Sequence, residues 1–272
     1  RKFEHYKDMW NNIWGKKDDA QVKDIKAWMS ITKAHALAQQ EVTPRDPITP
    51  EMVMRATKLL KKDTSLGIDW WEVEWLRSMT NRMAEQIANL LNTIECEVAW
   101  PAQIFTNIIV LMGKPAGGVR PIALMPMLYR IWTKARRDEI RQWDGTHTGP
   151  WDAAIRGSSA LRAAVRGAMF DEMNVLNGKA VSTILWDMEK FYDNIDMLQL
   201  TQKAMEVEYP LMIFTLGLQM HMAPRALKAY DCNAYANLPT NGIIAGCVQS
   251  NYLARVMLFS IMQRLHELRT GP

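Results

Sequence analysis

The sequence predicts an α+β fold, rich in helices and carrying a small antiparallel sheet. Two observations predict it. Apolar residues recur three and four positions apart over long stretches, as at Met79, Met83, Ile87, Leu90, Leu91 and Ile94, and again at Leu253, Val256, Met257, Ile261 and Leu265; this is the period of a helix that buries one face. Shorter apolar, β-branched runs stand beside glycine turns, with Asn107-Ile-Ile-Val-Leu-Met112 leading into Gly113-Lys-Pro-Ala-Gly-Gly-Val-Arg-Pro-Ile-Ala-Leu124, the pattern of strand, turn and strand. At 272 residues and 48% hydrophobic content the chain can build one large core or two modest ones.

Taken in order, residues 1–50 show a mixed-charge helical pattern studded with Trp10, Trp14 and Trp28, closing in Thr43-Pro-Arg-Asp-Pro-Ile-Thr-Pro50. A helix cannot run through those prolines, so 1–60 reads as a helical extension and linker. An amphipathic helix then ends ahead of Trp100-Pro101, as the residue before proline requires. A strand, the glycine turn and a second strand follow. Next comes a basic helix from about Met127 to Trp143, with Arg130, Lys134, Arg136, Arg137 and Arg141. A loop through Gly157-Ser-Ser159 offers caps for a helix over 160–169. Asn177-Gly178 marks a turn, and Val181-Ser-Thr-Ile-Leu-Trp186 then reads as a strand covered on both faces. Beyond it the sequence predicts a helix to about Glu206, a Met-rich apolar segment from Tyr209 to His221, a hairpin over 226–238, and a glycine-bearing loop feeding a long helix over 252–268.

Composition excludes several classes. Charged residues make up 23% and the net charge is +4, so any basic surface is local. Cys96, Cys232 and Cys247 fit neither a disulfide framework nor a zinc site, which points to a reducing, intracellular compartment. No apolar run is long enough to span a bilayer, and the N-terminus has no signal-peptide core. A start without Met and an end on Arg269-Thr-Gly-Pro272 suggest a piece of a longer protein.

The chemistry concentrates in two places. Asp187 ends the apolar run and is followed by Tyr192 and Asp193. A carboxylate at the end of a buried strand needs a metal, a cation or backbone amides beside it. Lys114 and Arg120 flank the glycine turn; in a hairpin of that length both cations can emerge near the tip, where Lys supplies a point charge and Arg a bidentate fork for a polyphosphate. Gly242 and Gly246, at a corner leading into a helix, let a ligand approach the backbone closely.

In this order the pieces resemble the reverse transcriptase domain, in particular that of non-LTR retroelements and group II intron enzymes, from about residue 61 to residue 268. Asp187-Met-Glu-Lys-Phe-Tyr-Asp193 is similar to the family's Asp-Leu-Glu-Lys-Ala-Phe-Asp block nearly residue for residue. Gly67-Ile-Asp69 resembles the opening Gly-x-Asp block, and Lys114 with Arg120-Pro-Ile-Ala-Leu124 the fingers block. Gly157-Ser-Ser159 is similar to the family's Gly-Arg-Ser, with the arginine displaced to Arg156. Gly242-Ile-Ile-Ala-Gly-Cys-Val-Gln-Ser250 resembles the block packed against nucleotide and template, with Ala245 in place of Gln and Asn251 in place of Pro. The resemblance implies right-hand polymerase fingers at 61–180 and a partial palm at 181–272. It implies Asp187 as a catalytic ligand of Mg2+ (or Mn2+), assisted by the Met188 carbonyl. Lys114, Arg120, Tyr192, Gly246 and Ser250 would hold a deoxynucleoside triphosphate, with Tyr192 excluding a 2′-hydroxyl. Arg130, Lys134, Arg137 and Arg156 would contact an RNA template and DNA primer, in the nucleus if the element is eukaryotic.

One block of the family is absent. The aromatic-x-Asp-Asp segment that supplies further metal ligands has no counterpart, the sole Asp-Asp pair being Asp18-Asp19. Two-metal phosphoryl transfer needs those carboxylates, so little polymerase activity is expected of this chain alone. A catalytically decayed nucleic-acid-binding remnant is therefore a second reading. A viral-type RNA-dependent RNA polymerase is a third, disfavoured by Tyr192 where that class carries a second Asp.

Overall fold

A computed structural model describes residues 2–115, 117–155, 157–229, 231–236 and 238–270. In chain order the elements are α1 (Lys2–Trp14), α2 (Asp19–Val42), α3 (Pro50–Lys58), α4 (Val73–Arg77), α5 (Asn81–Glu97), β1 (Asn107–Gly113), β2 (Val119–Leu124), α6 (Met127–Ala135), α7 (Arg137–Thr146), α8 (Ala160–Leu176), α9 (Met197–Glu206), α10 (Leu211–Met222), β3 (Arg225–Ala229), β4 (Cys232–Tyr235) and α11 (Ser250–Thr270). The α+β expectation holds, with helices dominating a single four-stranded sheet among the described residues.

Local chemistry accounts for many boundaries. Asp18 caps α2 through a reciprocal box with Gln21, and Thr49 caps α3 just ahead of Pro50, so the proline segment ends one helix and starts the next. That segment is anchored: Asn92 on α5 exchanges hydrogen bonds with the Ile48 backbone at 2.7 and 3.0 Å. The opening Gly-x-Asp turn is a packing device. A Cβ on Gly67 would lie 2.3 Å from the Met125 carbonyl oxygen, and Asp69 Oδ2 accepts from the Leu128 amide at 2.9 Å, at the start of α6.

Three sequence expectations need correction. The sheet is mixed, in the order β2-β1-β3-β4, because β1 runs antiparallel to β2 but parallel to β3. The single basic helix is two, broken at Arg136, whose buried guanidinium turns inward to Glu95 at 2.5 Å and to the Asp46 carbonyl at 3.0 Å. The strand expected over 181–186 does not form: the segment is exposed coil, with Leu185 91% and Trp186 86% accessible. A strand exists only by pairing, and among the described residues no other strand lies against this one. Helix α8 shares that exposure, having no buried side chain among its described residues.

The main core gathers α2, α3, α5, α6, α9, α10 and α11, with Trp100, Tyr129 and Trp132 in mutual edge or tilted contact. A second, smaller core lies between α1 and the sheet, where Trp10 and Trp14 meet Ile109, Leu111 and Leu227. Within the main core the Glu95 carboxylate serves both Arg136 and the Trp132 indole, the latter at 2.7 Å. Glu95→Ala would take the carboxylate partner from a buried guanidinium, leaving it the Asp46 carbonyl, and would leave an indole N–H unpaired, so a loss of about 3–5 kcal/mol in urea unfolding is expected.

Candidate functional site

The β1–β2 register places Arg120 opposite Met112 and Val119 opposite Gly113. Lys114 closes the turn, its amide donating to the Gly118 carbonyl at 3.0 Å. Both cations are exposed and both line one cavity of about 590 Å³. Tyr6, Met9 and Trp10 of α1 form another part of its lining, with Lys190, Asp193, Ala245 and Gly246 a further part and Val119, Pro121 and Ile122 of β2 beside Arg120. The turn thus supplies the cationic pair that the sequence suggested, and α1 adds an aromatic wall that it did not.

Beneath the cavity lies a buried cluster. Asp193 Oδ1 accepts from the Trp14 indole at 2.9 Å. The Arg225 guanidinium lies 4.3 Å over the Trp14 ring and donates to the carbonyls of His221 and Gly242 at 3.3 and 3.1 Å. A small cavity of about 20 Å³, lined by Asp193 and Arg225 among others, has room for about one water. Burial is the leading influence on every group here. It raises the Asp193 carboxyl, against the hydrogen bond from Trp14 and the nearby Arg225 charge. It lowers Arg225 to about 10, against the attraction of Asp193. It holds His221 down to about 3, with Arg225 pushing the same way. His221 is therefore neutral, and its Nδ1 accepts from the Ile244 amide at 3.0 Å.

The glycine corner splits into two roles. Gly242 has φ +77°, and a Cβ there would lie 2.4 Å from the Asp193 carbonyl oxygen; it serves backbone packing. Gly246 has φ +88° with open space where a Cβ would go, and it lines the cavity. It also lines a second cavity of about 370 Å³ with Lys61, Arg130 and Lys134. Burial lowers the pKa of both Arg130 and Lys134; Asp69 opposes the shift at Arg130, and the Arg137 and Arg130 charges add to it at Lys134.

The remaining sequence candidates scatter. Ser250 is buried, its hydroxyl donating to the Ile244 carbonyl at 2.5 Å, so it holds the corner instead of facing either cavity. Tyr192 is half-buried and donates to Asn251 Oδ1 at 2.7 Å, a bond that proline at 251 could not accept. Arg137 lines neither cavity and lies 3.7 Å from the Asp138 carboxylate. Arg156 lies outside the described residues. Asp187 and Met188 stand on the exposed segment, away from the cavity lining. No cluster of three His, Cys, Asp or Glu side chains occurs among the described residues. One exposed carboxylate and one carbonyl do not make a two-ion magnesium site, since that ion leans on carboxylates together with substrate phosphates.

Sequence reasoning missed Tyr6, Met9, Trp10, Trp14, Lys190 and Arg225. The four-residue spacing of Tyr6, Trp10 and Trp14 was the available signal, marking one helical face. Comparison with known families and with curated proteins finds no match to this chain. Among the described residues no helix is long and apolar enough to cross a membrane.

Two outcomes follow from the cluster. The unfolded imidazole, with its ordinary pKa near 6.5, takes up a proton that the buried His221 refuses until about pH 3. Stability should therefore fall as pH drops below about 6.5, by up to about 1.4 kcal/mol per pH unit. Urea unfolding at pH 7 and pH 5 measures this slope, and His221→Asn should flatten it. Gly242→Ala, forced into left-handed backbone against the Asp193 carbonyl, should cost at least about 1–2 kcal/mol in the same assay.

Proposed function

We propose that the chain is the fingers and part of the palm of an RNA-directed DNA polymerase, and that the cavity under the β1–β2 turn holds the incoming deoxynucleoside triphosphate. The observation that carries the reading is the convergence of Lys114, Arg120 and Gly246 on one cavity. Lys114 and Arg120 share one hairpin, Gly246 lies more than a hundred residues further along the chain, and all three were named together by the resemblance. A mobile Lys and a forked Arg beside an open backbone corner suit a triphosphate, whose charge is spread over several oxygens. Arg130 and Lys134, one helical turn apart across the shared Gly246 wall, suit the phosphate backbone of template or primer, which is recognised by shape and charge with little sequence preference.

In the working enzyme Mg2+ or Mn2+ would supply activation and charge neutralisation for nucleotidyl transfer, but Asp187 and the Met188 carbonyl, the ligands the resemblance names, stand outside the lining of the nucleotide cavity. The described residues do not complete a metal site, and the roles proposed here for them are binding and orientation. Tyr192, which the resemblance names for selecting the deoxy sugar, is tied to Asn251 and does not line the cavity, so sugar selection is not assigned to it. The exposed position of Asp187 favours a second reading, a nucleic-acid binder that retains the fold without the chemistry.

Titration with a deoxynucleoside triphosphate, read by tryptophan fluorescence, tests the first reading. Lys114→Ala and Arg120→Ala should each weaken binding about ten- to hundredfold, the worth of one charge-assisted contact. Unchanged affinity in both variants would remove the basis for the proposal. Duplex binding should in turn weaken steeply with added salt, and Lys134→Ala should shallow that dependence by about one phosphate contact.

A further inference from the structure

We infer that α1 forms the nucleobase side of the cavity, which makes Lys2–Trp14 a ligand-binding element and not merely an extension ahead of the fingers. The inference rests on the nucleotide reading above and adds to it which part of the ligand meets which wall. The cavity lining divides by chemistry. Lys114, Arg120 and Lys190 are cationic, with the Asp193 carboxylate beside them, whereas Tyr6 and Met9 offer an aromatic ring and a thioether from a single helix, the largely buried Trp10 adding little surface. A ligand matching both walls carries polyanionic charge at one end and a flat, polarisable body at the other, which is the shape of a nucleoside polyphosphate.

The aromatic wall is held in place. Trp10 is only 3% exposed and stacks on Trp14 at 5.1 Å between ring centroids. The C-terminal end of α1 is tied to the corner loop, because the Trp14 carbonyl accepts from the amides of Thr240 and Asn241 at 2.8 and 2.9 Å. Just beyond it Lys16 donates to Asn194 at 2.6 Å and Lys17 pairs with Asp196. Tyr6 sits one turn before Trp10 and is half-buried, which leaves part of its ring open toward the cavity. Stacking is tolerant of base identity because every base has a π face. Among the residues of this wall none is an amide or carboxylate suited to reading base edges, so the wall should bind bases with little discrimination.

Isothermal titration of the whole chain with dATP and, separately, with inorganic tripolyphosphate tests the assignment, using wild type, Tyr6→Ala, Tyr6→Phe and Lys114→Ala. Tyr6→Ala should weaken dATP about tenfold, within the range for loss of one base stack, and leave tripolyphosphate unchanged. Tyr6→Phe should bind both as wild type does, which guards against a general loss of folding. Equal effects of Tyr6→Ala on the two ligands, or no effect on either, would overturn the inference. If Lys114→Ala changes neither ligand, the nucleotide reading itself fails, an outcome separate from failure of the stacking wall alone.

Discussion

A guanidinium with almost no exposed surface sits where five segments of the chain meet. Arg225 begins β3, lies over the Trp14 ring of α1, donates to the carbonyls at the end of α10 and at Gly242, and lines a small cavity together with Asp193. Burying such a charge is costly unless its donors are met. Here Nη2 meets two backbone carbonyls and the guanidinium lies over an aromatic face, while Nε is buried without a hydrogen-bond partner and the Asp193 charge lies nearby. The geometry of each contributing segment is then constrained by the others. Gly242 must be glycine because the Asp193 carbonyl comes within 2.4 Å of its missing side chain, and His221 must stay neutral to accept from the Ile244 amide. This cluster is the floor on which the cationic turn and the α1 wall stand.

Much of the scaffold was legible in the sequence. Helical periodicity located α5 and α11, the prolines at 44–50 marked a helix boundary, and the glycine turn between Met112 and Val119 gave the β1–β2 hairpin with its two cations. What periodicity cannot show is which strands pair. The parallel match of β1 with β3 joins residues more than a hundred positions apart, and only its hairpin partners carried local signals. The break at Arg136 was hidden for a similar reason, since an arginine in a basic helix reads as solvated until Glu95 arrives from α5.

The site was legible in part. Lys114, Arg120 and Gly246 converge, whereas Ser250 turns inward and Asp187 stays outside. The contribution of α1 was passed over because Trp10 and Trp14 read only as part of a mixed-charge helical pattern without chemistry; in the structure they form the core against the sheet. The expected strand at 181–186 failed for a definite physical reason. Its apolar, β-branched sequence is suited to a sheet, but no described strand offers a ladder, and Ile184, Leu185 and Trp186 remain 70–91% exposed. Side chains of that size gain about 1.5–3 kcal/mol each on burial. The segment that carries Asp187 is therefore the least satisfied part of the fold, whereas the cation-bearing cavity is well supported.

The most direct test of this account is a crystal structure of the chain soaked with a non-hydrolysable deoxynucleoside triphosphate. The account requires phosphate density between Lys114 and Arg120 with the base against Tyr6, and an unmoved Trp14–Arg225–Asp193 cluster below. Phosphates seated instead between Arg130 and Lys134, or a ligand bound with α1 displaced from the sheet, would contradict it.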